Sequence, residues 1–124
     1  QMINNFPGWT TYKTGFDFGT IKGDCIGEMK NNIHTMNSSS KETVLRKLSA
    51  QHRMGKRALL VIINTNIEHV IIDRVEWING TDFYTELSGR KTFMNDLKLT
   101  LKYIFGTCKT YDEVVNLLKT PLSV

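Results

Sequence analysis

Much is missing from this chain, and each absence narrows what it does. No apolar run approaches the roughly 20 residues that span a bilayer, so no membrane-crossing helix is expected. His34, His52 and His69 form no HxH, HExxH or His/Cys cluster, which leaves a metal site without support from them. Gly15 and Gly19 are isolated and no Gly-Lys-Ser/Thr follows, so no phosphate-cradling loop is present. A Gly-x-Ser-x-Gly elbow is absent, and neither cysteine has a histidine close by in sequence. Cysteine itself is scarce. Cys25 and Cys108, 83 positions apart, cannot make a CxxC redox or zinc pair. They are either buried thiols or one long-range disulfide, which would stabilise by about 4 kcal/mol in the loop-entropy model and imply an oxidising compartment. Gln1 opens neither a charged n-region nor an apolar h-region, so a secretory leader is expected to have been removed already.

What is present describes one domain. The 124 residues suffice for a single core, and 40% apolar with 23% charged residues is the composition of a soluble globular protein. The net charge of +4 is unevenly spread. Lys41, Arg46, Lys47, Arg53, Lys56 and Arg57 face only Glu42, while Arg90, Lys91, Lys98 and Lys102 face only Asp96. Such runs are either solvated faces or patches for phosphate, because clustered cations release counterions on binding it. No aromatic residues interleave them, so the stacking half of a single-strand site is missing. The sequons at Asn37-Ser38-Ser39 and Asn79-Gly80-Thr81 are short enough to arise by chance.

The first two dozen residues read as irregular or hairpin-like, punctuated by Pro7-Gly8, Gly15, Gly19 and Gly23. Their aromatics, Phe6, Trp9, Tyr12, Phe16 and Phe18, are too many for a free tail. Residues 1–24 are therefore expected to be an extension packed on the body (25–124) or on a partner. Ser38-Ser39-Ser40 marks a loop. The stretch 42–54 fits a helix by Val44, Leu45 and Leu48, or a strand by Thr43, Leu45 and Lys47. Ala58 to Asn64 is an unbroken aliphatic strand, and Glu68 to Trp77 a second that pairs with it as a hairpin. Phe93, Leu97, Leu101 and Ile104 form the apolar stripe of an amphipathic helix. It stops at Gly106, or Tyr103 to Cys108 forms another strand. Tyr111 to Lys119 is a last helix or an edge strand. There are no internal repeats.

Among acids, Asp73 with Glu76 faintly resembles the edge of a metal-dependent nuclease, but Trp77-Ile78 stand where a lysine two residues after Glu76 is needed. A solvated Asp73 paired with Arg74 is the simpler reading. Trp77, beside Asn79-Gly80, either closes the core rim or stacks on the apolar face of a sugar whose hydroxyls Asp73 and Asn79 bind.

Several short strings occur together in an order that resembles the B subunits of the cholera toxin and heat-labile enterotoxin family, type II enterotoxins included. Cys25 is followed by Ile33-His34-Thr35-Met36-Asn37; Met54-Gly55-Lys56-Arg57 precedes Leu59-Leu60-Val61-Ile62-Ile63; Met94-Asn95-Asp96-Leu97, Arg90-Lys91-Thr92 and Cys108-Lys109-Thr110 follow, and Lys119-Thr120-Pro121 echoes a C-terminal turn. The resemblance implies an α+β, mainly β fold: an OB-fold-like small barrel with one long helix, closed by a Cys25–Cys108 disulfide. It implies a secreted homopentamer with Arg90, Lys91, Lys98 and Lys102 lining a pore through which a toxin A subunit threads. The implied function is non-catalytic binding of a cell-surface glycan or glycolipid such as a ganglioside, with no cofactor and no nucleic acid. The glycan site would draw on Gly55, Asp73, Trp77, Asn79, Tyr111 and Lys119. The chain departs from the family in its 24 residues before Cys25 and in Thr110-Tyr111, where type I subunits carry a Trp. The alternative is a basic OB-like nucleic-acid-binding domain.

Overall fold

The computed structural model describes residues 2–31 and 37–107. The chain folds as a mixed six-stranded sheet with helices on both faces. After a short 3-10 turn, Met2–Asn5, come β1 (Trp9–Thr11), β2 (Phe18–Thr20) and β3 (Cys25–Lys30). Helix α1 (Ser38–Arg53) crosses to β4 (Arg57–Ile62); β5 (Val70–Ile72) and β6 (Val75–Asn79) lead into α2 (Gly80–Ser88) and α3 (Phe93–Thr107). The sheet order is β1-β2-β3-β4-β6-β5. Strands β1, β2 and β3 form an antiparallel meander, β3, β4 and β6 run parallel, and β5 returns antiparallel to β6. An open sheet thus stands where an OB-like barrel is expected from the sequence, and no barrel closes among the described residues.

The reason lies in β4. Parallel strands need a crossover, and α1 supplies it between β3 and β4. With both faces covered, β4 is apolar from Ala58 onward: Ala58, Leu60 and Ile62 pack beneath α1 with Leu48, Val75 and Trp77, whereas Leu59 and Val61 meet Phe18, Ile78 and Phe83 on the other side. Residues 42–54 are accordingly helix through Arg53, and Ser38-Ser39-Ser40, expected as a loop, is the first helical turn. Asn37 caps it, its side chain accepting from the Ser40 amide at 2.8 Å. The hairpin expected between β4 and the next strand is replaced by β5–β6. Asp73 and Arg74, both left-handed (φ 49° and 72°), break the Glu68–Trp77 stretch in two.

The segment 1–24 supplies β1 and β2, and β2 is hydrogen-bonded to β3. Phe6, Trp9 and Phe18 join the core beside α2, whereas Tyr12 and Phe16 pack on the α1 side. Phe18 lies 5.1 Å from Phe83 between ring centroids, Trp9 meets Phe83 edge-on at 5.9 Å, and Phe6 reaches Tyr84 and Phe93. On α3, Phe93 and Leu97 are half-buried and Ile104 is buried as the stripe requires, but Leu101 is exposed; the helix continues through Gly106 to Thr107.

Candidate active site

Glu28 is the only buried charged residue among those described, 6% exposed. It stands in the middle of β3, beside Leu60 of β4. Burying a carboxylate is costly unless it is paired, so this position asks for an explanation. Its neighbour is another acid. The β2–β3 register places Phe18 opposite Gly27 and Gly19 opposite Ile26, which puts Asp17, just before β2, opposite Glu28. The Asp17 amide donates to the Gly27 carbonyl at 3.1 Å, and the Asp17 Oδ2 accepts from the Met29 amide at 2.8 Å. Burial, a hydrogen bond shared with the Asp17 carboxyl and that group's charge push Glu28 up to about 7, against the opposing pull of Lys30 and Lys47.

A glycine sets this spacing. A Cβ on Gly27 would lie 2.3 Å from Phe18 Cζ, so only a bare α-carbon lets the Phe18 ring cross β3 there. The ring fixes β2 against β3, and Asp17 is the residue before it. Two residues after Glu28, at the end of β3, comes Lys30; strand periodicity puts both on the face covered by α1. From α1, Lys47 brings its Nζ to 3.9 Å from Glu28 Oε1 and 4.9 Å above the Phe16 ring.

Two opposed carboxylates with an adjacent lysine form an arrangement for holding a cation against an anionic substrate. Like charges directly across an antiparallel pair destabilise a sheet, and a positive ion between them removes that cost. Magnesium-like ions take hard oxygen donors, commonly one or two carboxylates, with water and substrate completing the shell. The donor set fits such an ion. Among the described residues no cluster of three or more His, Cys, Asp or Glu side chains offers an all-protein cage.

The residues singled out from the sequence lie elsewhere. Gly55 (φ 88°) turns the chain after α1 and lines a cavity of about 340 Å³ with His52, Lys56, Arg57, Ile71, Arg74 and Glu76. Asp73 is exposed in the β5–β6 turn. Trp77 is 7% exposed, its ring under the Lys41 ammonium at 5.3 Å and its buried Nε1 without a hydrogen-bond partner. Asn79 caps α2, accepting from the Asp82 amide at 2.8 Å while its amide group donates to the Ile67 carbonyl. Arg90 pairs with Asp96 and, like Lys91, precedes α3, whereas Lys98 and Lys102 are exposed on it. Cys25 opens β3, buried, its thiol pushed up to about 12 chiefly by burial. Cys108, Tyr111 and Lys119 lie outside the described residues.

Glu76, considered above as a catalytic acid, is held by Arg57. The guanidinium donates to both its oxygens, at 2.6 and 2.8 Å, and on to Glu86 at 2.8 and 3.0 Å. His69 Nε2 adds a 2.7 Å contact. The Arg57 hydrogen bonds keep Glu76 below the usual carboxylate range. The acid-x-Lys pattern missing after Glu76 is present at Glu28-Met29-Lys30. That string was the available signal for the site, and it falls within the segment drawn into the toxin resemblance.

Comparison with known proteins bears on the same region. A family model described as Eco47II restriction endonuclease matches residues 1–106. No curated protein and no solved structure matches the chain. The match overturns the expected toxin B subunit, and with it the enterotoxin and AB5 assignment, the pentamer, the A-subunit partner, the glycan or ganglioside ligand and the non-enzymatic reading. The exclusion of nucleic acid goes too, and the alternative nucleic-acid reading is the better supported one. The short strings that carried the resemblance have local causes here: Gly55-Lys56-Arg57 is a helix-to-strand turn, and Arg90-Lys91-Thr92 links two helices.

Proposed function

The chain belongs to the Eco47II restriction endonuclease family, and from that premise we propose that it hydrolyses phosphodiester bonds of DNA, with Asp17, Glu28 and Lys30 as its catalytic residues. The observation that carries this reading is the register that sets Asp17 opposite a buried Glu28, with Lys30 two residues on. Asp17 and Glu28 would hold a divalent cation. Such an ion supplies charge neutralisation at a phosphoryl oxygen and a more acidic bound water.

The chain's own groups do the rest. The Met29 amide fixes the Asp17 carboxylate by its 2.8 Å hydrogen bond, so this oxygen keeps its direction when substrate arrives. The sheet pairs Glu28 with Leu60 of β4 on one side, and on the other the Asp17 amide holds the preceding Gly27 carbonyl. Lys30 brings a positive charge to the site, where it orients the attacking water and offsets the negative charge that builds on the phosphoryl oxygens. Attack of the water forms the new bond to phosphorus and gives up a proton to solvent, while the bond to the leaving sugar oxygen breaks and that oxygen takes up a proton. Backbone phosphates beyond the scissile one suit the basic side chains of α1, of which Arg46 and Arg53 are exposed.

The test is cleavage of plasmid and genomic DNA by the full chain with magnesium, followed on gels. Asp17→Asn, Glu28→Gln and Lys30→Ala should each abolish cleavage while keeping the fold, and a chelator should stop the parent. Cleavage by Glu28→Gln at the parent's rate would place the chemistry elsewhere.

A further inference from the structure

Lys47 is drawn to the site by a long ion pair and makes no hydrogen bond in it. Its Nζ lies 3.9 Å from Glu28 Oε1, beyond hydrogen-bond length, and its side chain is 45% exposed. The same ammonium sits 4.9 Å over the ring of Phe16, the residue before Asp17. It therefore lies between the two segments that carry the acids, on the third element of the site, α1. A loosely held, half-exposed lysine can move its charge several ångströms by rotating its stem without disturbing the helix backbone.

We propose that Lys47 is a phosphate-binding residue of the cleavage site, balancing Glu28 in the absence of substrate and passing to a phosphate oxygen of the bound strand. The inference rests on the reading of Asp17, Glu28 and Lys30 as a cleavage site. Its logic is charge accounting. Without ligand, two acids face two lysines; a divalent cation adds positive charge beside Glu28, which repels the Lys47 ammonium, and an incoming phosphate offers it a new partner. Cation and lysine thus compete for Glu28, whereas phosphate and lysine attract. Phe16 supplies a resting place for the ammonium along the way.

Opposite signs make this testable without turnover. DNA affinity of the full chain is measured by anisotropy with a labelled mixed-sequence duplex, in chelator and in calcium, over a range of salt; calcium affinity is measured separately by calorimetry without DNA. Lys47→Gln should bind DNA about tenfold more weakly in calcium, lower the salt slope by about one, and bind calcium alone more tightly. Lys47→Arg should restore DNA binding. Lys98→Gln, exposed on α3 away from the acids, is the control for general surface charge. The inference is overturned if Lys47→Gln matches the parent in DNA affinity and salt slope, if Lys98→Gln reproduces its effects, or if calcium affinity falls. A parent that neither binds nor cuts DNA would instead remove the reading beneath it.

Discussion

Towards one end of the sheet Asp17 and Glu28 face each other across β2 and β3; towards the other, Glu76 and Glu86 flank Arg57. Both places bring two carboxylates together on neighbouring elements. At the second, one guanidinium donates to all four oxygens, so each carboxylate oxygen has a charge-assisted partner and a fixed geometry. At the first, the acids share a hydrogen bond between themselves and the nearest ammonium on α1 stays 3.9 Å away. One pair is complete. The other lacks hydrogen-bonded cations, which is why the proposed function is assigned to the buried, loosely bonded pair and an architectural role to the well-bonded one.

The largest contrast should be in activity. Glu28→Gln or Asp17→Asn is expected to lower DNA cleavage by at least about a hundred- to a thousandfold, with a melting temperature equal to or above the parent's, since a like-charge opposition is removed. Glu76→Gln should cut DNA normally and melt earlier. If the two substitutions exchanged these outcomes, the roles assigned to the two ends would be reversed.

Next comes Gly27→Ala, which attacks the spacing of the first pair alone. A methyl 2.3 Å from Phe18 Cζ forces ring or strand to move, costing about 1–3 kcal/mol by urea denaturation. Cleavage should fall further than stability explains, because Asp17 moves with Phe18. Arg57→Ala breaks the second pair instead. It should cost about 1–2 kcal/mol, less than the value for a fully buried pair because the Arg57 side chain is 35% exposed, and leave cleavage intact.

Opposite pH responses are the smallest effect expected. Glu28 is raised from 4.5 to about 7 in the folded chain, so the native state holds the extra proton in this interval and stability falls as pH rises through it. Glu76 is lowered, so its contribution is present above the ordinary carboxylate value and is lost as pH falls through its folded value. Melting curves of cation-free protein from acid to neutral pH should lose the first slope in Glu28→Gln and the second in Glu76→Gln.

The same comparison explains what was legible in the sequence. The run Ala58 to Asn64 reads as a strand because its composition alone reports burial on both faces, and the four-four-three stripe from Phe93 locates α3 without knowledge of its neighbours. The direction of β4 relative to β6 is not local information. It depends on α1 being a helix, and 42–54 carries both periodicities. Asp17 and Glu28 are the sharper case. They are opposed only because β2 and β3 pair in one register, which composition does not reveal, and Gly27's role appears only once Phe18 lies across it. The short string Glu28-Met29-Lys30 was readable, but an acid and a lysine two apart on a strand are common on solvated edges. The burial of Glu28 is what separates this instance from them.

The parallel run of β3, β4 and β6 has a further consequence. Lys30, Ile62 and Asn79 are register partners at the carboxyl ends of their strands, and the chain leaving each of them starts from the same rim of the sheet. Asp17 stands on that rim as well, at the entry to β2. The segments that follow β3 and β4 can therefore change in length and composition beside the acids while the interior, sealed by α1 and α2, stays the same. Cutting chemistry and the preference for where to cut would then be inherited separately: the first tied to a hairpin that tolerates no extra methyl at Gly27, the second free to drift along one edge.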